Sequence, residues 1–173
     1  TLLHQNETQK ARDYIQKLHD EQNERLFYVN THHASIDAIL NQKTRIAQNH
    51  GIDVQFQVND LSGLQVNPVD ITVVISNLMD NAIEACDQLE IENRQIHIKA
   101  VLEDEFFFSI RNTSLPVTVH NNSVATTKKD TLLHGYGLQN VKTILSRYDS
   151  LFGIDYKDGW FLAYLEIAET RRS

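Results

Sequence analysis

Between Asn67 and Leu89 the residues Ile71, Val74, Ile75, Leu78, Ala82, Ala85, Cys86 and Leu89 fall at steps of three and four, the stripe of a helix that has to be covered. Asn67 before Pro68 fits a cap followed by a first-turn proline. So broad a stripe calls for a second layer, and alternating runs supply it. Val54, Phe56 and Val58 alternate with polar neighbours, as do Ile96, Ile98 and Ala100; Glu103 to Glu105 turns, and Phe106 to Ile110 runs back antiparallel. Leu151 to Tyr156 and Trp160 to Ala168 form a hairpin around Asp158-Gly159. Two more helices are predicted. One carries Ile36, Ile39, Leu40, Ile46 and Ala47 and ends at His50-Gly51; the other follows Gly137 through Val141, Ile144, Leu145 and Tyr148. The order predicts an α+β fold, a two-layer sandwich of a mixed, mostly antiparallel sheet with helices on one face.

Residues 5–30 contain no Gly or Pro, and Ala11, Tyr14, Ile15, Leu18 and Leu26 make a thin apolar stripe. A thin stripe needs a partner, so this segment reads either as the remnant of a dimerising coiled coil or as a solvated helix on the domain. The 173 residues suffice for one domain with such an appended element. A net charge of -7 without any contiguous basic stripe argues against nucleic acid as a partner. A single cysteine, Cys86, excludes a disulfide framework and a cysteine-based zinc site, and fits a reducing compartment. No apolar run approaches the roughly 18 residues of a membrane span, and no signal peptide is evident. The chain opens on Thr1 and its one methionine is Met79, so a piece of a longer protein is expected.

Asn77, Asn81 and Glu84 form a polar stripe at the rim of the core helix. Asparagine is a poor helix former, and amide and carboxylate oxygens suit Mg²⁺ shared with phosphates; amides bonding neighbouring backbone are the structural alternative. Gly135-Tyr136-Gly137-Leu138 follows a polar, aperiodic stretch at 113–133 and opens a helix. Glycine admits close backbone approach and a helix N-terminus offers N–H groups to anions, although a plain loop-to-helix transition has the same spelling. Lys128 and Lys129 lie just upstream, either neutralising phosphate or simply solvated.

Taken together, Asn77-Leu-Met-Asp-Asn-Ala-Ile-Glu-Ala85 and Thr127-Lys-Lys-Asp-Thr-Leu-Leu-His-Gly-Tyr-Gly-Leu-Gln-Asn-Val141 resemble the N box and second glycine box of GHKL (Bergerat-fold) ATPases. More narrowly, they are similar to sensor histidine kinases of the peptide quorum-sensing subfamily. The segment Ser35-Ile-Asp-Ala-Ile-Leu-Asn-Gln-Lys43 resembles the connection from dimerisation helices to the kinase domain. The resemblance implies three regions: the end of a dimerisation helical region at 1–33, a connecting helix at 34–50 and an ATP-binding catalytic domain at 51–173.

That resemblance implies ATP and Mg²⁺ as cofactors, with Asn81 as the metal ligand. It places Asn77 where ATP-hydrolysing relatives carry a water-activating glutamate, and Glu84 along the metal and phosphate region. His134, Gly135, Tyr136, Gly137 and Leu138 match the phosphate-binding box, and residues 113–133 match a lid in which Lys128 is a lid lysine; Asn77, Asn81 and Lys128 are the implied catalytic set. The first glycine box is absent, since Asn112-Thr-Ser-Leu-Pro116 follows the strand, and Asn112 occupies the position of the adenine-reading aspartate. No phosphoacceptor motif surrounds His4, His19 or His32-His33, so the acceptor is expected upstream of Thr1. The function implied is a protein histidine kinase passing the γ-phosphoryl of Mg-ATP to a histidine outside the fragment, the fragment being inactive alone. Implied too are a response regulator receiver domain as partner, homodimerisation through the N-terminal helices, and a cytoplasmic place in a kinase whose membrane segments lie upstream. The alternative is a degenerate GHKL scaffold that serves as a dimerising phosphotransfer or regulatory module without ATP turnover.

Overall fold

A computed structural model describes residues 28–120, 123–124 and 134–168. Helix α1 (Ala34–Asn49) starts where His33 Nδ1 accepts from the Ile36 N–H at 3.3 Å, and it ends at His50, after which Gly51 takes φ 68. A Cβ on Gly51 would stand 2.9 Å from Ile91 Cγ2, so both the left-handed turn and the close approach call for glycine. Strand β1 (Asp53–Val58) follows, then helix α2 (Pro68–Asp87), capped by Asn67 Oδ1 accepting from Val69 N (2.9 Å) and Asp70 N (3.3 Å). A short 3-10 turn at Ile91–Asn93 leads into β2 (Gln95–Leu102) and β3 (Glu105–Thr113). The two-residue strands β4 (Val119–His120) and β5 (Ser123–Val124) pair with each other. Helix α3 (His134–Leu145), β6 (Ser150–Lys157) and β7 (Trp160–Ala168) complete the order.

The main sheet runs β1-β2-β3-β7-β6, with β1 parallel to β2 and every other pairing antiparallel. It is thus the mixed, mostly antiparallel sheet of the expected α+β sandwich. Asp158 (φ 52) and Gly159 (φ 82) make the β6–β7 turn, two successive positive-φ positions as a tight hairpin requires. Alternation decides the faces: Ile96, Ile98 and Ala100 of β2, Phe106, Phe108 and Ile110 of β3, and Ala163, Leu165 and Ile167 of β7 are all buried. Onto this face α2 lays Ile71, Ile75, Leu78 and Met79, while α1 adds Ile36 and Leu40.

The opposite face carries long side chains lying along it. Arg111 stacks 4.1 Å above the Trp160 ring and Lys99 sits 5.5 Å from the Phe107 ring. Tyr164 lies across Gly153, where a Cβ would meet its ring.

At the end of α2, Arg94 takes up the last helical carbonyl and the groups around it. The guanidinium donates to Leu89 O (2.9 Å), Asp87 O (3.2 Å), Asp87 Oδ1 (3.1 Å) and, across the junction, His50 O (2.7 Å). Leu89, expected on the helical stripe, therefore falls past the helix end. Three further expectations are corrected. Helix α3 begins at His134, ahead of Gly137, so Gly135 and Gly137 lie inside its first turn. Thr113 still belongs to β3, and β4 and β5 interrupt the aperiodic stretch that follows; residues 125–133, with Lys128, lie outside the described residues. The helix expected over residues 5–30 lies outside them too, except for its last positions, Tyr28 to Asn30, which are not helical. There Asn41 clasps the chain, its Oδ1 accepting from Tyr28 N (2.6 Å) and Val29 N (3.2 Å) and its Nδ2 donating to Val29 O (2.9 Å).

Cys86 is buried on α2, its Sγ 3.5 Å from both Gln95 O and Thr113 O. Burial pushes the thiol above its ordinary 9.0. An aromatic disulfide reagent at pH 8 is expected to label Cys86 only as the chain unfolds in urea; rapid labelling of the native protein would contradict this packing.

Candidate functional site

Helix α2 has two working faces. Its apolar stripe is buried in the sheet, and at the stripe's rim Asn77 and Asn81 stand half-buried one turn apart, with Glu84 exposed on the next turn. Against this rim comes the first turn of α3. An ideal Cβ on Gly137 would lie 3.2 Å from Asn81 Oδ1, 3.3 Å from Asn81 Nδ2 and 3.5 Å from Asn77 Oδ1. A Cβ there would press the amides back by a few tenths of an ångström, so glycine lets the two helices seat closest. The two amides differ in commitment. Asn77 Nδ2 donates to Val73 O at 2.8 Å, the backbone bond that a structural role predicts, whereas Asn81 turns both amide atoms toward the glycine.

Gly137 is the fourth residue of α3, so it sits just behind the N–H groups of residues 134–136, the first-turn donors that no carbonyl of the same helix can reach. Backbone donors with helix-dipole polarity and side-chain amide oxygens thus meet at one place. Donors of the first kind suit phosphate oxygens and acceptors of the second suit a hard cation. The donor set fits a phosphate–Mg²⁺ pair.

Asn112, near the end of β3, lies beside a later turn of α2. Cys86 is five residues beyond Asn81, about 7–8 Å along the helix axis, and its contact with Thr113 places the end of β3 beside that turn. Asn112 itself is 1% exposed and donates Nδ2 to Thr113 O at 3.0 Å. A carbonyl accepts and never donates, so this contact fixes which amide atom is nitrogen and leaves Oδ1 as the acceptor. Of the remaining sequence candidates, Leu138 packs on the core edge and Tyr136 is 64% exposed. His134 and Gly135 share the first turn of α3, and Lys128 lies outside the described residues.

Two ties around this site carry no sequence signature. The Lys43 ammonium of α1, 14% exposed, is 2.6 Å from Asp80 Oδ1, on the α2 turn that bears Asn77 and Asn81. At the start of α2, Asp70 accepts from Tyr148 Oη at 2.6 Å and from Arg147 Nη1 at 2.9 Å. Burial, and then the Asp70 carboxylate, push the Tyr148 hydroxyl above the ordinary 10.0. Each tie joins residues far apart in the chain, which spacing rules do not reach.

Two shallow depressions of about 320 Å³ lie on the other face of the sheet, one bordered by Gln55, His97, Lys99 and Ser109, the other by Asp155, Lys157 and Trp160, with Arg111 common to both. Neither borders Asn81, and neither is the candidate site.

A family model described as the GHKL domain matches residues 66–168, from just before α2 to the end of β7. The chain belongs to the GHKL domain family. Solved structures agree on the fold of this GHKL domain. The catalytic domain of histidine kinase ThkA superposes with a TM-score of 0.63 at 20% identity, covering 82% of this chain and 96% of that one. A mycobacterial sensor histidine kinase, MprB, gives 0.57 at 13% identity over 78% and 93%. Acinetobacter baumannii histidine kinase AdeS gives 0.56 at 15% identity over 87% and 72%. At these identities the likeness is one of fold. No match was found among curated protein sequences. Among the described residues no helix is long and apolar enough to cross a membrane.

Two outcomes are expected from this geometry. Asn112→Asp introduces a carboxylate that faces an oxygen toward the Thr113 carbonyl in a buried place, and it should cost about 1–3 kcal/mol in urea unfolding. Because its folded pKa is raised, Tyr148 contributes stability that is fully present below pH 10.0 and lost as pH rises through the higher folded value. The melting-temperature gap between the wild-type protein and Tyr148→Phe should therefore close above that pH.

Proposed function

We propose that this GHKL domain binds Mg-ATP and serves as the catalytic domain of a sensor histidine kinase. The γ-phosphoryl would pass to a histidine outside these 173 residues, and from there to an aspartate of a response regulator receiver domain. The observation that carries the reading is the approach of Gly137 to Asn81, which brings the first turn of α3 beside a carbonyl-type oxygen.

In this reading Asn81 holds the Mg²⁺, and the first-turn N–H groups of α3 bind phosphate oxygens. Bound Mg²⁺ supplies charge neutralisation between phosphates during transfer. Asn77, with its nitrogen committed to Val73, orients the metal side of the site and is a poor general base, which suits transfer over hydrolysis. Asn112 presents Oδ1 as an acceptor to the adenine amino group, as a carboxylate would, because Thr113 has taken its donor. Glu84 lines the metal and phosphate region. His134, Gly135, Tyr136 and Leu138 complete the α3 side, with Lys128 on a lid that closes over the nucleotide and excludes water.

The match of the N box and the 127–141 box supports the peptide quorum-sensing subfamily as the finer reading. With it go dimerisation through residues 1–33, a connecting helix at 34–50, a catalytic domain at 51–173, and a cytoplasmic position in a membrane-bound kinase. Both amides and the glycine of the site are retained, which does not favour a scaffold that has lost its nucleotide.

Calorimetry with a nonhydrolysable ATP analogue tests this directly. Wild-type protein should bind in the micromolar-to-millimolar range only with Mg²⁺ present, and Asn81→Ala should weaken binding about tenfold or more. At roughly a hundredfold the Kd, the analogue should add about 2.7 kcal/mol of stability to wild type. Equal, weak heats from both proteins would remove the kinase reading.

A further inference from the structure

The Asp70 cluster occupies a telling position. Residue 70 lies in the first turn of α2, whereas Arg147 and Tyr148 follow the last turn of α3. Gly137, near the other end of α3, meets Asn77 and Asn81, farther along α2. The two helices therefore run antiparallel, touching at two polar points. One is the Asp70 carboxylate, 17% exposed, with each oxygen committed: Oδ1 to Arg147 and Oδ2 to Tyr148. The other is the glycine–amide contact. From Asn77 back to Asp70 is about two turns of α2, or roughly 10 Å, so the points are separate along the interface.

Between them the contact is apolar. Val74 and Leu78 of α2 and Val141, Ile144 and Leu145 of α3 are buried in the shared core. Apolar packing is non-directional and tolerates a small slide of one helix along the other. A carboxylate receiving two charge-assisted or short hydrogen bonds from fixed directions does not. The cluster is the part of the interface able to fix its register.

We propose that Asp70, Tyr148 and Arg147 act as positioning residues for nucleotide: they lock the register of α3 against α2 and so hold the first turn of α3, with Gly137 in it, at the Asn77–Asn81 rim. This rests on the reading that the rim and the first turn of α3 bind Mg-ATP. Release of the cluster lets α3 slide, and the first-turn donors leave the place where phosphate is met. Geometric losses of this kind are steep, because donors set a fraction of an ångström off lose much of their binding.

The experiment uses the 173-residue chain labelled with ¹⁵N-glycine, whose six glycines each give an amide signal. Gly137→Ala identifies the signal of interest. Tyr148→Phe, which removes only the hydroxyl, should move the Gly137 signal in nucleotide-free protein and leave those of Gly51 and Gly63 in place. Affinity for the Mg²⁺ complex of the ATP analogue should fall about fivefold or more, and in an Asp70→Ala background Tyr148→Phe should add nothing further. Arg147→Gln, at a side chain 59% exposed, offers a milder variant with the same direction of effect should Tyr148→Phe fold poorly. A lowered melting temperature with an unmoved Gly137 signal and unchanged affinity would show an ordinary structural contact and overturn the proposal. If the wild-type protein binds no analogue, the kinase reading fails on its own. The glycine signals then still decide whether the cluster sets the helix register.

Discussion

Contact between a glycine backbone and an asparagine amide is the constraint on which the site depends, and α2 makes it possible. One helix both anchors the core and carries the amides. Ile75, Leu78, Met79 and Ala82 are buried to within a few per cent, so the backbone that bears Asn77 and Asn81 has no room to rotate. A rim position one quarter-turn from such a stripe inherits the precision of the core without being buried in it. Sites mounted on packed elements hold their geometry better than sites on loops, and here only the α3 side depends on how a second helix is seated.

Polar ties surround α2 at several heights. Asn67 caps its start, Asp70 meets the end of α3, Asp80 meets Lys43 of α1, and Arg94 takes the carbonyl of Asp87, its last residue, together with that of His50. These ties differ in worth. The Arg147–Asp70 pair has its arginine mostly in solvent, where Coulomb energy is screened, so geometry is its main contribution. Lys43 is 14% exposed, so removing Asp80 would leave its ammonium largely covered without a partner, whereas Asp80 itself stays half in solvent. The arrangement defines where a helix sits more than how strongly it is held.

Much of this was legible in the residues. The stripe on α2, the Asn67-Pro68 start, the alternation in β2 and β3, and the Asp158-Gly159 turn each follow from local periodicity or turn chemistry, which act over a few residues. Asn77, Asn81 and Gly137 stood out because two asparagines at a helix rim and two glycines at a helix start are unusual choices, and the fold brings these three together. What spacing did not show was long-range. Asp70 with Tyr148 and Lys43 with Asp80 pair ordinary residues across the tertiary fold, and no period links them. The start of α3 was misplaced because glycine ordinarily marks a helix boundary, while here close approach to Asn81 places it inside the first turn. The orientation of Asn112 depended on a neighbouring carbonyl whose direction only the end of β3 determines.

Strand β7 lies between β3 and β6, with Phe108 facing Leu165 and Ile154 facing Ala163. Until Trp160–Ala168 has been synthesised, β3 presents an open edge with no strand to satisfy its amides. On the ribosome, therefore, the growing chain must wait for its final hairpin before the sheet can close. Nascent protein cut short ahead of that hairpin would expose Phe106 and Phe108 to whatever chaperone or sticky neighbour reached them first.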